Sequence, residues 1–256
     1  MDELPTLISS LSASPLVVGL LLAGSRARGD DLPQSDVDLF VLVGSTEAVP
    51  RIHELIGLTR PTVLLAPRYV HDFGWNITCL YAGGTVVQFN INDRTSVPLN
   101  PMRGKGRILY DPHGWCEEIR AAGADLHVDI AMVRRSTEQR LLVRLLLGVR
   151  ALAKGELLGA RSLFMECVTL LAALRRIEQG AFDPAMHWSH PLKRLEGDLP
   201  AVARELGTLC TGSTEQELAA DATELLTLVT STSWDPPIEL VQLLDHEIAT
   251  IVAACR

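Results

Sequence analysis

The sequence is poor in cysteine and shows no pattern in the five it has: Cys79, Cys116, Cys167, Cys210 and Cys255 are odd in number, widely spaced and never paired as CxxC. That excludes a disulfide framework and a zinc site and leaves reduced thiols in or near cores. Positive charge is also short, with 23 Lys and Arg against 31 Asp and Glu and a formal net charge of -8. A nucleic-acid backbone demands a basic face, so nucleic acid is not the expected partner, whereas a cationic small substrate is compatible. Long hydrophobic runs are missing too. The apolar stretch 16–23 has eight residues and no basic segment before it, so it reads as a buried strand, not a signal peptide or membrane span. The expected location is therefore cytoplasmic, with no membrane partner. No nucleophile elbow, Walker loop, dinucleotide fingerprint, internal repeat or low-complexity linker appears.

What remains is a chain with 47% apolar and 21% charged residues, long enough at 256 residues for one large domain or two modest ones. Its character changes near residue 125. Before that point, PLVVGLLLA, VDLFVLV, PTVLLAP, WNITCLY, TVVQFNI and GRILY read as strands separated by Gly, Pro and Asp. Gly83 and Gly84 suit a tight hairpin turn between the fourth and fifth of these. Helices fit at 50–58 and at 113–122, the latter after the start signal Asp111-Pro112. After residue 130 the apolar residues fall at helical spacing: 137–156, 160–179 with Gly180 as the stop, then 199–209, 215–229 and 237–254. The expected fold class is α+β, with a mixed sheet and helices over 1–125 and a helical bundle over 126–256. With no linker between them, the halves are expected to pack tightly and leave a cleft for a ligand.

The chemistry concentrates in LLAGSRARGDDLPQSDVDLFVLV, residues 21–43. A strand ending at Gly24-Ser25 and turning into a short helix presents backbone N–H groups and a hydroxyl of the kind that holds phosphate oxygens. In the next strand Asp36 and Asp38 point to one side, because side chains alternate. Two neighbouring carboxylates repel unless a proton or cation joins them, and oxygen-only ligands suit Mg²⁺. Taken alone, such a pair is more often what a turn cap and a frayed strand end produce. Following a phosphate-type turn by about a dozen residues, it is far more specific.

Gly24-Ser25-Arg26-Ala27-Arg28-Gly29, followed by Ser35-Asp36-Val37-Asp38-Leu39, resembles the GS…DxD signature of the nucleotidyltransferase superfamily that includes DNA polymerase β. The helical second half, and GRILYDPHGW at 106–115, resemble in layout the antibiotic nucleotidyltransferases that act on aminoglycosides and lincosamides. The resemblance implies a nucleoside triphosphate, ATP first, bound with Mg²⁺, and transfer of its nucleoside monophosphate to a hydroxyl of a small-molecule acceptor with loss of pyrophosphate. It implies Asp36 and Asp38 as catalytic metal ligands, and Gly24, Ser25, Arg28, Ser35 and Gln88 around the nucleotide.

The family usually adds a third carboxylate from a neighbouring strand. Here the matching position in 85–91 is Gln88, an amide that cannot act as a base. Three readings stay open: a nucleotide-binding protein without turnover, an enzyme with its base elsewhere, or a role for Asp93 just past the strand. Glu166, in SLFMECVTLL, is the substitute base of the second reading, because apolar surroundings would favour its protonated form; the alternative is a place on the polar stripe of a helix. Transfer to a protein hydroxyl, as in antitoxin-type members, is a further alternative. His187 and His190 lie three apart without a carboxylate at ligand spacing, and Trp75, Trp115 and Trp188 are either buried anchors or stacking surfaces.

Overall fold

A computed structural model describes residues 3–31, 35–70, 74–97, 100–187, 190–231 and 236–254. The chain divides into two compact units, Met1–His127 and Val128–Arg256.

The first unit runs α1 (Glu3–Ser12), β1 (Val17–Ala23), α2 (Gly24–Arg28), β2 (Val37–Val43), a 3₁₀ turn at Thr46–Ala48, α3 (Val49–Gly57), β3 (Val63–Leu64), β4 (Arg68–Val70), β5 (Gly74–Leu80), β6 (Val86–Asp93), a second 3₁₀ turn at Pro101–Lys105, β7 (Arg107–Tyr110) and α4 (Trp115–Ala124). Its seven strands form one mixed sheet in the order β3-β5-β6-β2-β1-β7, with β4 pairing the same strand as β3. Among the described residues only the β2–β6 pairing is parallel; the others are antiparallel. The central strands are the most apolar stretches of the chain because both of their faces are covered. On one face Leu20, Leu22, Leu39, Val41, Phe89 and Ile91 pack with Leu7 and Leu11 of α1 and Ile52 and Ile56 of α3. On the other, Leu21, Phe40 and Leu42 pack with Cys116 and Ile119 of α4. Gly19 makes that second contact possible: a Cβ there would stand 2.3 Å from Cys116 Sγ.

The β5–β6 hairpin turns as its glycines suggest, but only Gly84 takes a positive φ, of 80°. Its N–H bonds to the Tyr81 carbonyl at 2.9 Å, and Tyr81 N–H to Thr85 at 3.0 Å. Four elements of this unit were not expected from the sequence: α1, the 3₁₀ turn at Thr46–Ala48, β4 and the 3₁₀ turn at Pro101–Lys105.

The second unit contains α5 (Ile130–Ala153), α6 (Leu157–Glu178), α7 (Pro184–His187), α8 (Leu195–Asp198), α9 (Pro200–Gly207), α10 (Glu215–Thr230) and α11 (Ile238–Ala254). α5 begins seven residues before the expected start, because Asp129 caps it by accepting the Met132 N–H at 3.0 Å. The helix then passes through the polar run RRSTEQR, where Glu138 is buried and accepts from Arg134 one turn earlier at 2.7 Å. α5 and α6 form a close hairpin: a Cβ on Gly148 would stand 2.5 Å from the Phe164 ring. α6 is long and apolar enough to cross a membrane, and half of that apolar window is buried inside the protein, as in a core helix. Gly180, with φ of 66°, follows its last turn as the expected stop. Cys79, Cys116, Cys167 and Cys210 are buried free thiols; Cys255 lies outside the described residues.

Candidate active site

Strand alternation puts Val37, Leu39, Val41 and Val43 into the core. Asp36 stands just before β2 and Asp38 is its second residue, on the side opposite that core. Both are half-buried. On a strand two such residues are about 7 Å apart at Cα, close enough for the carboxylates to repel.

Asp38 is placed by two neighbours. In the sheet it stands opposite Ala23, the last residue of β1, and opposite Gln88 of β6. Gly24, with φ of 65°, follows Ala23, and a Cβ there would lie 1.9 Å from Asp38 Oδ2. Glycine is needed twice over, for its backbone conformation and for the space the carboxylate occupies. The turn then winds into α2 and closes on Gly29, whose N–H, like that of Asp30, bonds to the Ser25 carbonyl. Gly24 and Ser25 are both buried.

Asp36 is held from both ends. Arg26 donates through Nε to the Asp36 carbonyl at 3.1 Å and through Nη2 to the Ser35 carbonyl at 2.8 Å. At the side chain, Gln88 Nε2 donates to Asp36 Oδ2 at 2.7 Å. Gln88 therefore stands at the position expected for a third acid, opposite Asp38, and its amide nitrogen faces the carboxylate pair. Arg26 was not assigned a role from sequence; its place inside the glycine-serine turn was the available signal. Arg28 pairs with Asp30, Nη2 to Oδ1 at 3.3 Å. Beyond Gln88 the same face continues in neutral polar groups. Asn76 donates to Asn90 Oδ1 at 3.2 Å, and Thr78 donates to Asn76 Oδ1 at 3.1 Å.

The other sequence candidates lie apart from this cluster or are occupied. Asp93 pairs with Val43, at the far end of β2 from Asp38. Its Oδ1 accepts from the Thr95 N–H, the Thr95 hydroxyl and the Ser96 N–H at 2.7–2.9 Å. Burial pushes its acidity down, but those hydrogen bonds outweigh it and hold the carboxyl below its ordinary value. Glu166 lies in the second unit on α6, and the apolar burial expected around it is absent. Its side chain is 48% exposed and paired with Arg144 at 2.9 Å. The physical reason is helical phase: Phe164, Cys167 and Val168 face the core, and Glu166 falls between them on the outer side. His187 is buried, and its Nδ1 accepts the Asp183 N–H at 2.9 Å; His190 is exposed. Trp75 packs edge-on against Tyr69. Trp115 carries the Arg94 guanidinium 4.8 Å from its ring centre and helps line a cavity of about 240 Å³ with Arg103 and Glu118. Burial lowers the Arg103 pKa to about 10. Trp188 lies outside the described residues.

The donor set fits a hard divalent cation: carboxylate oxygens on one strand, in a cradle that a Cβ at residue 24 would fill. Asp36 and Asp38 are the residues that could hold it; among the described residues no group of three or more His, Cys, Asp or Glu that could hold a metal ion is found.

A family model described as nucleotidyltransferase domain matches residues 4–81, a segment that includes the glycine-serine turn and both aspartates and ends before Gln88. Among solved structures, the chain is similar to a nucleotidyltransferase-like protein from Exiguobacterium sibiricum 255-15, at 14% identity over 98% of this chain and 89% of that one, with a TM-score of 0.43. It is also similar to an aminoglycoside 6-adenyltransferase from Bacillus subtilis, at 12% identity over 98% and 97% of the two chains, with a TM-score of 0.42. No curated protein matches the sequence.

Proposed function

We propose that the protein transfers a nucleoside monophosphate from a Mg²⁺-nucleoside triphosphate, ATP first, to a hydroxyl of a small molecule. The observation that carries this reading is the placement of Asp36 and Asp38: two like charges on one side of a central strand, with Asp38 resting on a glycine that leaves room for nothing larger. Two like charges this close repel, and a metal-bound triphosphate would offset that repulsion. When bound, Mg²⁺ would neutralise the phosphates and fix their orientation. Asp36 and Asp38 would hold the metal, and the turn from Gly24 to Arg28, with Ser35, would lie along the phosphates. Arg26 keeps that turn and the β2 entrance in register through its bonds to Ser35 and Asp36. The acceptor oxygen attacks the α-phosphorus and gives its proton to solvent, the bond from the α-phosphorus to the bridging oxygen breaks, and pyrophosphate leaves with that oxygen. Gln88 does not take the acceptor's proton, since its amide has no basic site at neutral pH. Aminoglycosides and lincosamides are the first acceptors to screen, and the cytoplasm is the proposed location.

Calorimetric titration with ATP and the other triphosphates, in Mg²⁺ and then in EDTA, tests the reading. The expected result is metal-dependent binding that disappears in Asp36→Ala, followed by pyrophosphate release with an acceptor. No triphosphate binding under any condition would overturn it. The Gln88 amide favours a second reading, a protein that binds nucleotide without turnover. Metal-dependent ATP binding with no pyrophosphate release across the acceptor panel would select it.

A further inference from the structure

We propose that the cavity between the Pro101–Lys105 turn and α4 is a binding site for a small aromatic anion, a ring bearing a carboxylate or a phosphate, held by Arg103 from its floor and Arg94 from its rim. The site lies within the first unit and does not depend on the nucleotidyl-transfer reading.

The walls of this cavity are fixed by backbone packing. A Cβ on Gly104 would stand 2.5 Å from the Ala124 nitrogen, and one on Gly123 would stand 2.8 Å from the Gly104 nitrogen, so the turn and the helix meet with no side chain between them. Asn100 Oδ1 caps the turn by accepting the Met102 N–H at 2.9 Å. Arg103 is thereby set in place, only 6% exposed, with its guanidinium 4.5 Å from the centre of the Phe40 ring. Trp115 also lines the cavity, and the His113 ring, 4.7 Å away, packs against its indole. A cavity of about 150 Å³ takes a benzene ring. At about 240 Å³ this one has room for a ring and one charged group, and Val97 and Ile119 supply apolar wall for the ring.

The two arginines set the charge of the guest. A guanidinium has five N–H donors and no acceptor, so one already engaged elsewhere still has donors to give, and anionic oxygens match them best. A cation over an aromatic ring is stabilised through the face of that ring, which leaves in-plane donors for another partner. Arg103 is in that position over Phe40, and its burial strengthens its attraction to any anion that enters. Arg94 lies 4.8 Å from the centre of the Trp115 ring and donates to Glu118 Oε2 at 3.1 Å. Both side chains of that pair are more than half exposed. An exposed pair of this kind is weak, so Arg94 can turn from Glu118 to an incoming anion at little cost.

The test is calorimetric titration of the full chain with benzoate and with phenyl phosphate, at low salt and in EDTA, which removes any metal through which Asp36 and Asp38 could hold an anion. Saturable binding of at least one anion is expected, and the tighter of the two names the charged group that the site takes. Benzyl alcohol, the neutral counterpart, should bind about tenfold more weakly or worse. Arg94→Gln should weaken anion binding about tenfold, and so should Arg103→Lys, which keeps the charge and loses the fork. Ala122→Phe, which fills the cavity from α4, should abolish it. Glu118→Gln should tighten it about threefold, because a competing carboxylate is gone. Arg94, Glu118 and Ala122 are exposed, and thermal melts establish that each variant is folded. No binding of either anion to the wild type, benzyl alcohol binding as tightly as the anions, or a titration unchanged in both Arg94→Gln and Ala122→Phe would overturn the inference. Each of these results would leave the nucleotidyl-transfer reading untouched.

Discussion

Two charged centres inside this protein are satisfied in opposite ways. In the second unit the Arg176 side chain is fully buried and donates to the Pro191 carbonyl at 2.8 Å, the Lys193 carbonyl at 2.7 Å and Asp198 Oδ2 at 2.8 Å. The guanidinium fork is spent on tying residues 191–198 to α6. In the first unit Asp36 and Asp38 have the same sign, and the donor at the Asp36 carboxylate is a neutral amide. The first arrangement is finished and holds structure together. The second sets two like charges close together, an arrangement that a bound cation would favour.

Substitutions at the two centres should therefore have opposite signatures. The largest effect is expected from Asp38→Asn. Transfer should fall by about 10³-fold or more, because charge neutralisation at the phosphates is the main catalytic contribution such a site makes. The ligand-free protein should stay folded with a melting temperature close to that of the wild type, so that the lost transfer is not lost structure. Full transfer in this variant would end the metal assignment, and a large drop in melting temperature would mean that Asp38 is structural after all. Arg176→Met should do the reverse in stability. Methionine fills the space of the arginine stem but leaves two carbonyls without donors, at a cost of about 3 kcal/mol in urea denaturation. A loss below about 1 kcal/mol would show that water replaces the guanidinium and that the contrast between the centres is weaker than the geometry suggests.

The same contrast explains what could be read from the sequence. The site was largely legible because its parts are local: Gly24, Ser25, Asp36 and Asp38 fall within fifteen residues, and alternation alone puts both aspartates on one side. Gln88, fifty residues away, was reachable because β6 alternates cleanly between Val87, Phe89, Ile91 and the amides Gln88, Asn90, Asn92. That Gln88 stands opposite Asp38 and reaches the Asp36 carboxylate depends on register across two strands, and sequence does not carry that. Arg176 and its partners were invisible for the same reason; an arginine in the last turn of a helix looks like ordinary dipole pairing. Glu166 misled because apolar neighbours in sequence are not neighbours in space on a helix. α1 was readable, since Leu4, Leu7, Ile8 and Leu11 have helical spacing, whereas β3 and β4, at two and three residues on the sheet edge, are too short for any periodicity to show.

A smaller effect separates packing from charge in the second unit. Gly148→Ala gains about 1 kcal/mol of helix propensity. It also drives a methyl to within 2.5 Å of the buried Phe164 ring, and overpacking of that kind costs about 1–3 kcal/mol. The clash should win, giving a net loss of about 1 kcal/mol that Phe164→Leu partly restores. A stabilised Gly148→Ala would mean that the α5–α6 hairpin opens easily.

The smallest effect belongs to an exposed carboxylate, Glu217, which sharpens the comparison because its donors are entirely local. It completes a capping box at the start of α10: its Oε2 accepts the Ser213 N–H at 2.8 Å and the Thr214 N–H at 3.0 Å, while Thr214 Oγ1 accepts the Glu217 N–H at 3.3 Å. Those backbone donors from Ser213 and Thr214 lower its pKa to about 2, from an ordinary value of 4.5. A carboxyl depressed on folding contributes stability that is complete above the unfolded value and lost as the pH falls through the folded one. Glutamine at residue 217 keeps the box and removes only the charge. The melting temperatures of wild type and Glu217→Gln should therefore differ most above pH 4.5, draw together between pH 4.5 and 2, and coincide below pH 2. A gap that persists at the acid end would assign the contribution of Glu217 to the shape of the capping box. A gap that closes there would make it, like the Asp36–Asp38 pair, an effect of where the charge is placed.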